Sequence, residues 1–344
     1  MAFLLTIVGM LPAPARAGSN SPAFNVGYQV MDIPFQQNGR EKVLTIAVWY
    51  PTAQKPSPFT YGGSTRGTVA LNARPLQSKR PYPLLVFSHG FGGGGISSVF
   101  FTEALAANGW IVAAPDHHDS QSAVRIREGQ VPLDRRGFLN DAKAITRSGP
   151  QDRGKYLYRL QEIQAVIDYL TTSDPYRGLV DAGRLAVGGH SLGGFTALGI
   201  CGTIPGAYDS RIKALLLFST GAGGYLYTGE ELHMVNIPMM LLMGEREKTQ
   251  KRGGRTMTEI SETIYQEASG QKYFLEIKGA NHFSFNNRLN DNPASRWLSG
   301  TEEQFDVIRR YSIAFLEKHV ADSPEADFIL DQKDLLLVRY LKKP

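Results

Sequence analysis

The stretch Arg184-Leu185-Ala186-Val187-Gly188-Gly189-His190-Ser191-Leu192-Gly193-Gly194 decides the fold. Leu185, Ala186 and Val187 make a short apolar run suited to a buried strand, and the residues through Thr196-Ala197-Leu198-Gly199-Ile200-Cys201 make an apolar helical run. Between them Gly189-His190-Ser191-Leu192-Gly193 matches G-x-S-x-G, a turn so tight that a side chain at either glycine would collide with neighbouring backbone. A strand that turns sharply into a helix is the repeating unit of a mostly parallel sheet with helices on both faces.

The flanking sequence carries the same alternation. Strands are expected near Gly27 to Ile33 and Val43 to Trp49, as an antiparallel pair at one sheet edge, then at Leu84 to Phe87, Trp110 to Ala114, Ala214 to Phe218, Pro238 to Met243 and Tyr273 to Ile277. A Pro, Gly and Ser-rich stretch from Pro51 to Pro83 reads as a loop. Helices are expected from Ser98 to Asn108, over the period of Leu157, Leu160, Ile163, Ile167 and Leu170, and from a capping box at Thr301 and Gln304 with Phe305, Ile308 and Phe315 inward. Residues 119–153 show no clean period and mix both charges, an excursion that could cover a cleft as a lid or ride on the surface. The tail ends in Leu335-Leu336-Leu337-Val338, an extra edge strand or a helix.

With 344 residues, 42% of them hydrophobic, the composition is that of a globular protein, and one catalytic domain over 18–344 is expected. The net charge of +5 comes from basic residues interleaved with nearly as many acids, so the pattern does not point to nucleic acid. Residues 1–17 have an apolar core followed by Ala15-Arg16-Ala17, the form of a secretory leader cut after Ala17; this implies a secreted or periplasmic enzyme. The apolar run is too short to span a membrane, so no stable membrane insertion is expected. Cys201 is the only cysteine and reads as a small buried hydrophobe.

Ser191 is the candidate nucleophile, and the N–H of Leu192 at the helix start can stabilise a developing oxyanion. Ser88-His89-Gly90-Phe91-Gly92-Gly93-Gly94-Gly95 follows a strand, and its backbone can supply a second donor, the N–H of Phe91. That loop lacks the Gly-Lys-Ser/Thr ending of a phosphate-binding loop. A serine hydroxyl needs a base, and His282 alone among the seven histidines stands in a loop at a late strand end, in Gly279-Ala280-Asn281-His282-Phe283. Asp116-His117-His118-Asp119 has the residue types of a zinc site, but adjacent side chains are expected to point to different sides, so no metal is assigned. No cofactor is implied either.

Phe87-Ser88-His89-Gly90-Phe91, Ala114-Pro115-Asp116-His117, Gly189 to Gly194 and Gly279 to Phe283 together resemble the bacterial proteins related to platelet-activating-factor acetylhydrolase, often labelled predicted dienelactone hydrolases. The resemblance covers roughly Val26 to Val320 and implies the α/β-hydrolase fold, a mostly parallel sheet with helices on both faces, and hydrolysis of small-molecule or polymeric esters. The same segments are similar to cutinase-like polyester hydrolases. Two departures separate the chain from these: Phe218-Ser219-Thr220-Gly221 stands where they carry an aromatic before the acid strand, and Phe91 where they commonly have tyrosine. A true dienelactone hydrolase would use cysteine where this chain has Ser191.

In this fold the chain order is serine, acid, histidine. The strand Pro238 to Met243 ends in Gly244-Glu245-Arg246-Glu247; Glu247 occupies the usual aspartate position and Glu245 is the alternative acid, with a surface ion pair to Arg246 or Lys248 for the other. The acetylhydrolase resemblance would also allow an acid after the preceding strand, but Ser219 to Gly224 contains no carboxylate. The resulting expectation is a serine esterase with a Ser-His-Glu triad that prefers short acyl groups, since no long apolar helical cap is present. A serine peptidase of the same fold would normally bring a propeller or helical cap, and a binding protein that kept the fold would lack a triad member.

Overall fold

The computed structural model describes residues 24–62, 64–220, 226–249, 251–252, 254–287 and 299–344. The leader read at 1–17 lies outside them. The strands are β1 (Asn25–Gln37), β2 (Arg40–Thr52), β3 (Ser57–Tyr61), β4 (Thr65–Leu71), β5 (Tyr82–Ser88), β6 (Ile111–Pro115), β7 (Val124–Arg125), β8 (Gly129–Gln130), β9 (Val180–His190), β10 (Ile212–Phe218), β11 (Met239–Gly244), β12 (Lys251–Arg252), β13 (Arg255–Thr256), β14 (Lys272–Ile277) and β15 (Leu337–Lys343). Eleven of them form one sheet in the order β15-β14-β11-β10-β9-β5-β6-β2-β1-β4-β3. The six from β14 to β6 are parallel.

Every residue of β5 is buried, as a parallel strand covered on both faces requires. Leu84 and Val86 face one core, with α3 (Tyr158–Thr172), α4 (Leu192–Leu198) and α6 (Met257–Glu267). Leu85 and Phe87 face the other, with α1 (Val99–Ala107) and α7 (Glu302–His319). The chain has the α/β-hydrolase fold anticipated from its elbow. The box that opens α7 is present: Thr301 Oγ1 accepts from Gln304 N at 3.3 Å, and Gln304 Oε1 accepts from Thr301 N at 3.0 Å.

At the sheet edges one expectation changes and an open alternative is decided. The β1–β2 pair is not an edge, because part of the supposed loop 51–83 forms the β3–β4 hairpin and β4 pairs with β1 at Gly27↔Ala70 and Tyr28↔Leu71. Its proline and glycine content hid an aromatic cluster: Tyr61 lies 4.8 Å from Tyr28 and 4.9 Å from Phe59 by ring centroids, and Trp49 Nε1 donates to Tyr61 OH at 3.0 Å. At the other edge the tail is both helix and strand, a short α8 (Ala326–Leu330) followed by β15 antiparallel to β14. Residues 119–153 contain the two-residue ladder of β7 and β8 and the helix α2 (Arg135–Ile145), of which only Ile145 is buried. The helix α5 (Gly229–His233) is one short turn beyond β10.

Candidate active site

The parallel strands end on one side, and the expected site residues follow those ends, where ligands bind in open α/β sheets. Ser191 follows β9 with φ of 54°, a conformation that a non-glycine residue adopts at a cost. The turn leaves no room for wider neighbours: a Cβ on Gly189 would lie 2.3 Å from the Gly193 carbonyl, and one on Gly193 would lie 1.9 Å from the oxygen of Ser88. Ser191 N donates to Phe218 O at 3.0 Å, which ties the elbow to the next strand. Leu192 is the first residue of α4, so its N–H has no intrahelical acceptor.

His282 follows β14 and is 7% exposed; Ser191 is 9% exposed. Asn281 caps the turn that carries the histidine, its Oδ1 accepting from Phe283 N at 2.8 Å. The imidazole turns Nδ1 toward two oxygens: Ser219 Oγ at 2.5 Å and Glu247 Oε2 at 3.4 Å. Ser219 Oγ in turn donates to Glu247 Oε2 at 2.6 Å. Glu247 is fully buried, and its Oε1 accepts from Gly244 N at 2.8 Å. Turned this way, Nδ1 faces Glu247 and Ser219, and Nε2, on the far side of the ring, is left out of both contacts. The elbow and the histidine loop are joined through His190, whose Nε2 donates to His282 O at 2.9 Å and whose ring lies 4.8 Å from that of His282. Burial, with the neighbouring His282, holds His190 down to about 3, so it is a neutral donor there.

Glu245 is not on the imidazole. Its Oε2 accepts from Gly279 N at 2.8 Å, joining the acid turn to the histidine loop through backbone. Lys248 pairs with the buried Glu276 and not with either of these glutamates, and Arg339 of β15 approaches Glu276 as well, at 3.4 Å. In the sequence, Ser219 is signalled only by its position directly after β10, a segment that carries no carboxylate.

The loop that carries Phe91 is held from beneath by Arg159, which the sequence did not single out, and by Asp116 and Asp119, which it offered only as ligand types. Arg159, fully buried on α3, donates through Nη1 to His89 O at 2.8 Å and pairs with Asp119. Asp116 accepts from Gly95 N at 2.8 Å and from Ile126 N at 2.7 Å, and burial raises its carboxyl to about 6 despite those donors. Gly90 must lack a side chain because a Cβ there would lie 2.9 Å from His190 and 3.1 Å from the Ser191 side chain, which sets the loop directly against the Ser191 turn. From the excursion, Phe138 of α2 packs on Phe91 with ring centroids 4.8 Å apart, and Ala123 N donates to Gly92 O at 2.8 Å.

His117 and His118 do not diverge as adjacency suggested. Both converge on Glu162 of α3, each through Nδ1 at 2.7 Å, because the carboxylate reaches between them with one oxygen for each ring. His117 Nε2 then meets Ser88 Oγ at 2.8 Å. Burial alone would raise Glu162, yet the hydrogen bonds from His117 and His118 bring it down to about 2. These groups are spent on one another, a structural network in place of a ligand set. A separate groove of about 1350 Å³ between α1, α7 and β4, lined by Phe100, Glu103, Phe305 and Ile313, contains none of the site residues.

With Ser191 at a strand-to-helix turn, His282 after the last parallel strand and Glu247 after the strand before it, the chain has the α/β-hydrolase fold. The family model described as platelet-activating factor acetylhydrolase, isoform II, matches residues 33–134. A platelet-activating factor acetylhydrolase of Cavia porcellus is 25% identical over 284 residues, 74% of this chain and 62% of its own length, so the chain spans a little under two thirds of that relative. The cutinase est2 of Thermobifida alba is 24% identical over 239 residues, 68% of this chain and 72% of its own. A solved structure of a ferulic acid esterase from Streptomyces cinnamoneus superposes with a TM-score of 0.70 at 22% identity, covering 94% of this chain and 98% of that one, which bears on the fold alone. Among the described residues no helix is long and apolar enough to cross a membrane.

Proposed function

We propose that this chain is a serine carboxylic-ester hydrolase. His282 takes the proton of Ser191 through Nε2, the alkoxide attacks the ester carbonyl, and the N–H groups of Phe91 and Leu192 hold the oxyanion. The leaving alcohol receives the proton from His282, and a water activated by the same imidazole releases the acid and restores Ser191. Glu247 is the triad acid that stabilises the imidazolium. The observation that carries this reading is the chain of contacts from Glu247 and Ser219 to His282 Nδ1 beside an elbow serine at positive φ. The names of the relatives, acetylhydrolase and cutinase, point to ester chemistry in the same direction. Covalent labelling with a fluorophosphonate tests it: one adduct is expected, on Ser191, whereas a non-catalytic binding protein of this fold would remain unlabelled.

The substrates are small-molecule esters with short acyl groups. Supporting this, the excursion over the oxyanion loop is thin: α2 buries only Ile145, and its Phe138 covers Phe91. Turnover of chromogenic esters should fall from butyryl to palmitoyl, and the opposite order would refute the preference. The likeness to a cutinase over 68% of the chain supports a second reading, a cutinase-like polyester hydrolase, for which release of soluble monomers from a polyester film is the test. One catalytic domain over 18–344, a secretory leader at 1–17 and a secreted or periplasmic location belong to the same proposal. Sequencing the exported mature protein checks them, with a start at Gly18 expected.

A further inference from the structure

Glu247 meets His282 at 3.4 Å, longer than a charge-assisted hydrogen bond between a ring N–H and a carboxylate should be. The short contacts go through Ser219: 2.6 Å from its Oγ to Glu247 Oε2 and 2.5 Å from its Oγ to His282 Nδ1. We infer that Ser219 is a positioning residue of the catalytic relay, a hydroxyl inserted between acid and base that fixes the tautomer of His282. This rests on the reading of Ser191, His282 and Glu247 just given and adds a member to it.

The direction of each hydrogen bond follows from what the groups can do. A carboxylate only accepts, so the hydroxyl proton of Ser219 points at Glu247. Its oxygen then presents a lone pair to Nδ1, which must carry the proton. The ring is left with its lone pair on Nε2, the form that can deprotonate Ser191. When the imidazolium forms, its Nδ1 proton stays between Ser219 Oγ and Glu247 Oε2, and the negative charge polarises the hydroxyl toward the ring. The arrangement is rigid. Ser219 sits just past β10 at φ of 47°, its N–H donates to Leu242 O at 2.8 Å, and the serine is fully buried. Glu247 cannot readily close the gap, because Gly244 N already holds its other oxygen. A serine kept at positive φ, where glycine is the usual residue, is explained by the two bonds its side chain makes.

The test is a set of variants assayed on one short-acyl ester. Ser219→Ala and Ser219→Gly both remove the hydroxyl, and glycine suits the backbone conformation, so agreement between them separates the hydroxyl from strain. Both should lower kcat by about tenfold or more with KM nearly unchanged, because the relay acts on the transition state. The downfield imidazole N–H proton resonance of His282 should move or vanish in both while thermal unfolding stays cooperative. In a Glu247→Gln background, Ser219→Asp should regain at least about tenfold of the lost kcat, since it brings a carboxylate to the oxygen position beside Nδ1. If Glu247→Gln is costly while Ser219→Ala and Ser219→Gly stay within twofold of the parent with the resonance unmoved, the bridge is wrong and the triad stands. If Glu247→Gln is itself without effect, the acid assignment fails and the bridge with it.

Discussion

Ser88, His117 and Glu162 repeat, one strand away, the residue types of Ser191, His282 and Glu247. The hydrogen bonds here are direct: 2.8 Å from Ser88 Oγ to His117 Nε2 and 2.7 Å from His117 Nδ1 to Glu162, with no intervening hydroxyl. All three are fully buried. Ser88 is the last residue of a regular strand, paired with Gly189 of β9, and its carbonyl packs under Gly193. Ser191 instead stands on a left-handed turn at a helix N-terminus, beside a glycine loop. A hydrogen-bonded serine, histidine and carboxylate therefore do not by themselves make a nucleophile. The outer set combines partial exposure with unused backbone donors, and the inner one has neither a path for substrate nor a place for an oxyanion. The inner set instead secures the base of the glycine loop beside Ser191: His117 N donates to His89 at 3.3 Å, next to Arg159, which holds the His89 carbonyl.

The largest effect expected from this contrast is catalytic. Ser191→Ala should lower kcat by roughly 10⁴-fold or more, while Ser88→Ala, per folded molecule, should stay within a few-fold. Active-site titration on a chromogenic ester, normalised to folded protein, checks both, and an equal loss in the two variants would erase the distinction. Next in size, Glu247→Gln should reduce turnover by about a hundredfold or more with the fold intact, since the ring loses the charge that stabilises its protonated form. Glu245→Gln should cost only a few-fold through a looser tie to Gly279. The reverse order would move the acid to Glu245.

The smallest catalytic effect and the largest structural one are expected at Glu162. Glu162→Gln replaces one of two accepting oxygens by a donor that faces a histidine N–H, and should cost about 2–4 kcal/mol in urea unfolding while sparing turnover of the folded fraction. Its pH dependence has a definite sign. Glu162 lies below its ordinary value near 4.5, at about 2, so its contribution is complete above about pH 4.5 and is lost as pH falls through about 2. The stability gap between parent and variant should therefore narrow over that window. A gap that is constant with pH would show that the ionised carboxylate is not what His117 and His118 require.

The candidate residues of the outer set were legible because their signals are short in sequence. The elbow is five contiguous residues, the loop that carries Phe91 is one glycine run, and His282 stands a few residues beyond a strand of buried side chains. Arg159 and Glu162 were not legible as partners of the loop, because a charged residue beside Leu160 and Ile163 reads as the solvated side of a helix. Here both face the sheet and are fully buried, satisfied by Asp119, His89, His117 and His118. Residues 51–83 differ from expectation for a related reason: local turn composition outweighed the spacing of Phe59 and Tyr61, whose partners Tyr28 and Trp49 lie on the two preceding strands.

The sequence alone determined the sharp turn at Ser191, since steric exclusion at Gly189 and Gly193 acts within five residues and allows little else. It also determined that alternating strands and helices would build a parallel sheet, because periodicity is a local property of side-chain direction. Strand order was decided only by the tertiary structure. That order sets β10 and β11 side by side, and so brings Ser219 between Glu247, 28 residues later, and His282, 63 residues later. No local preference encodes contacts across such separations. They exist because closing the two apolar cores fixes where each strand ends, and the polar groups at those ends must then satisfy one another.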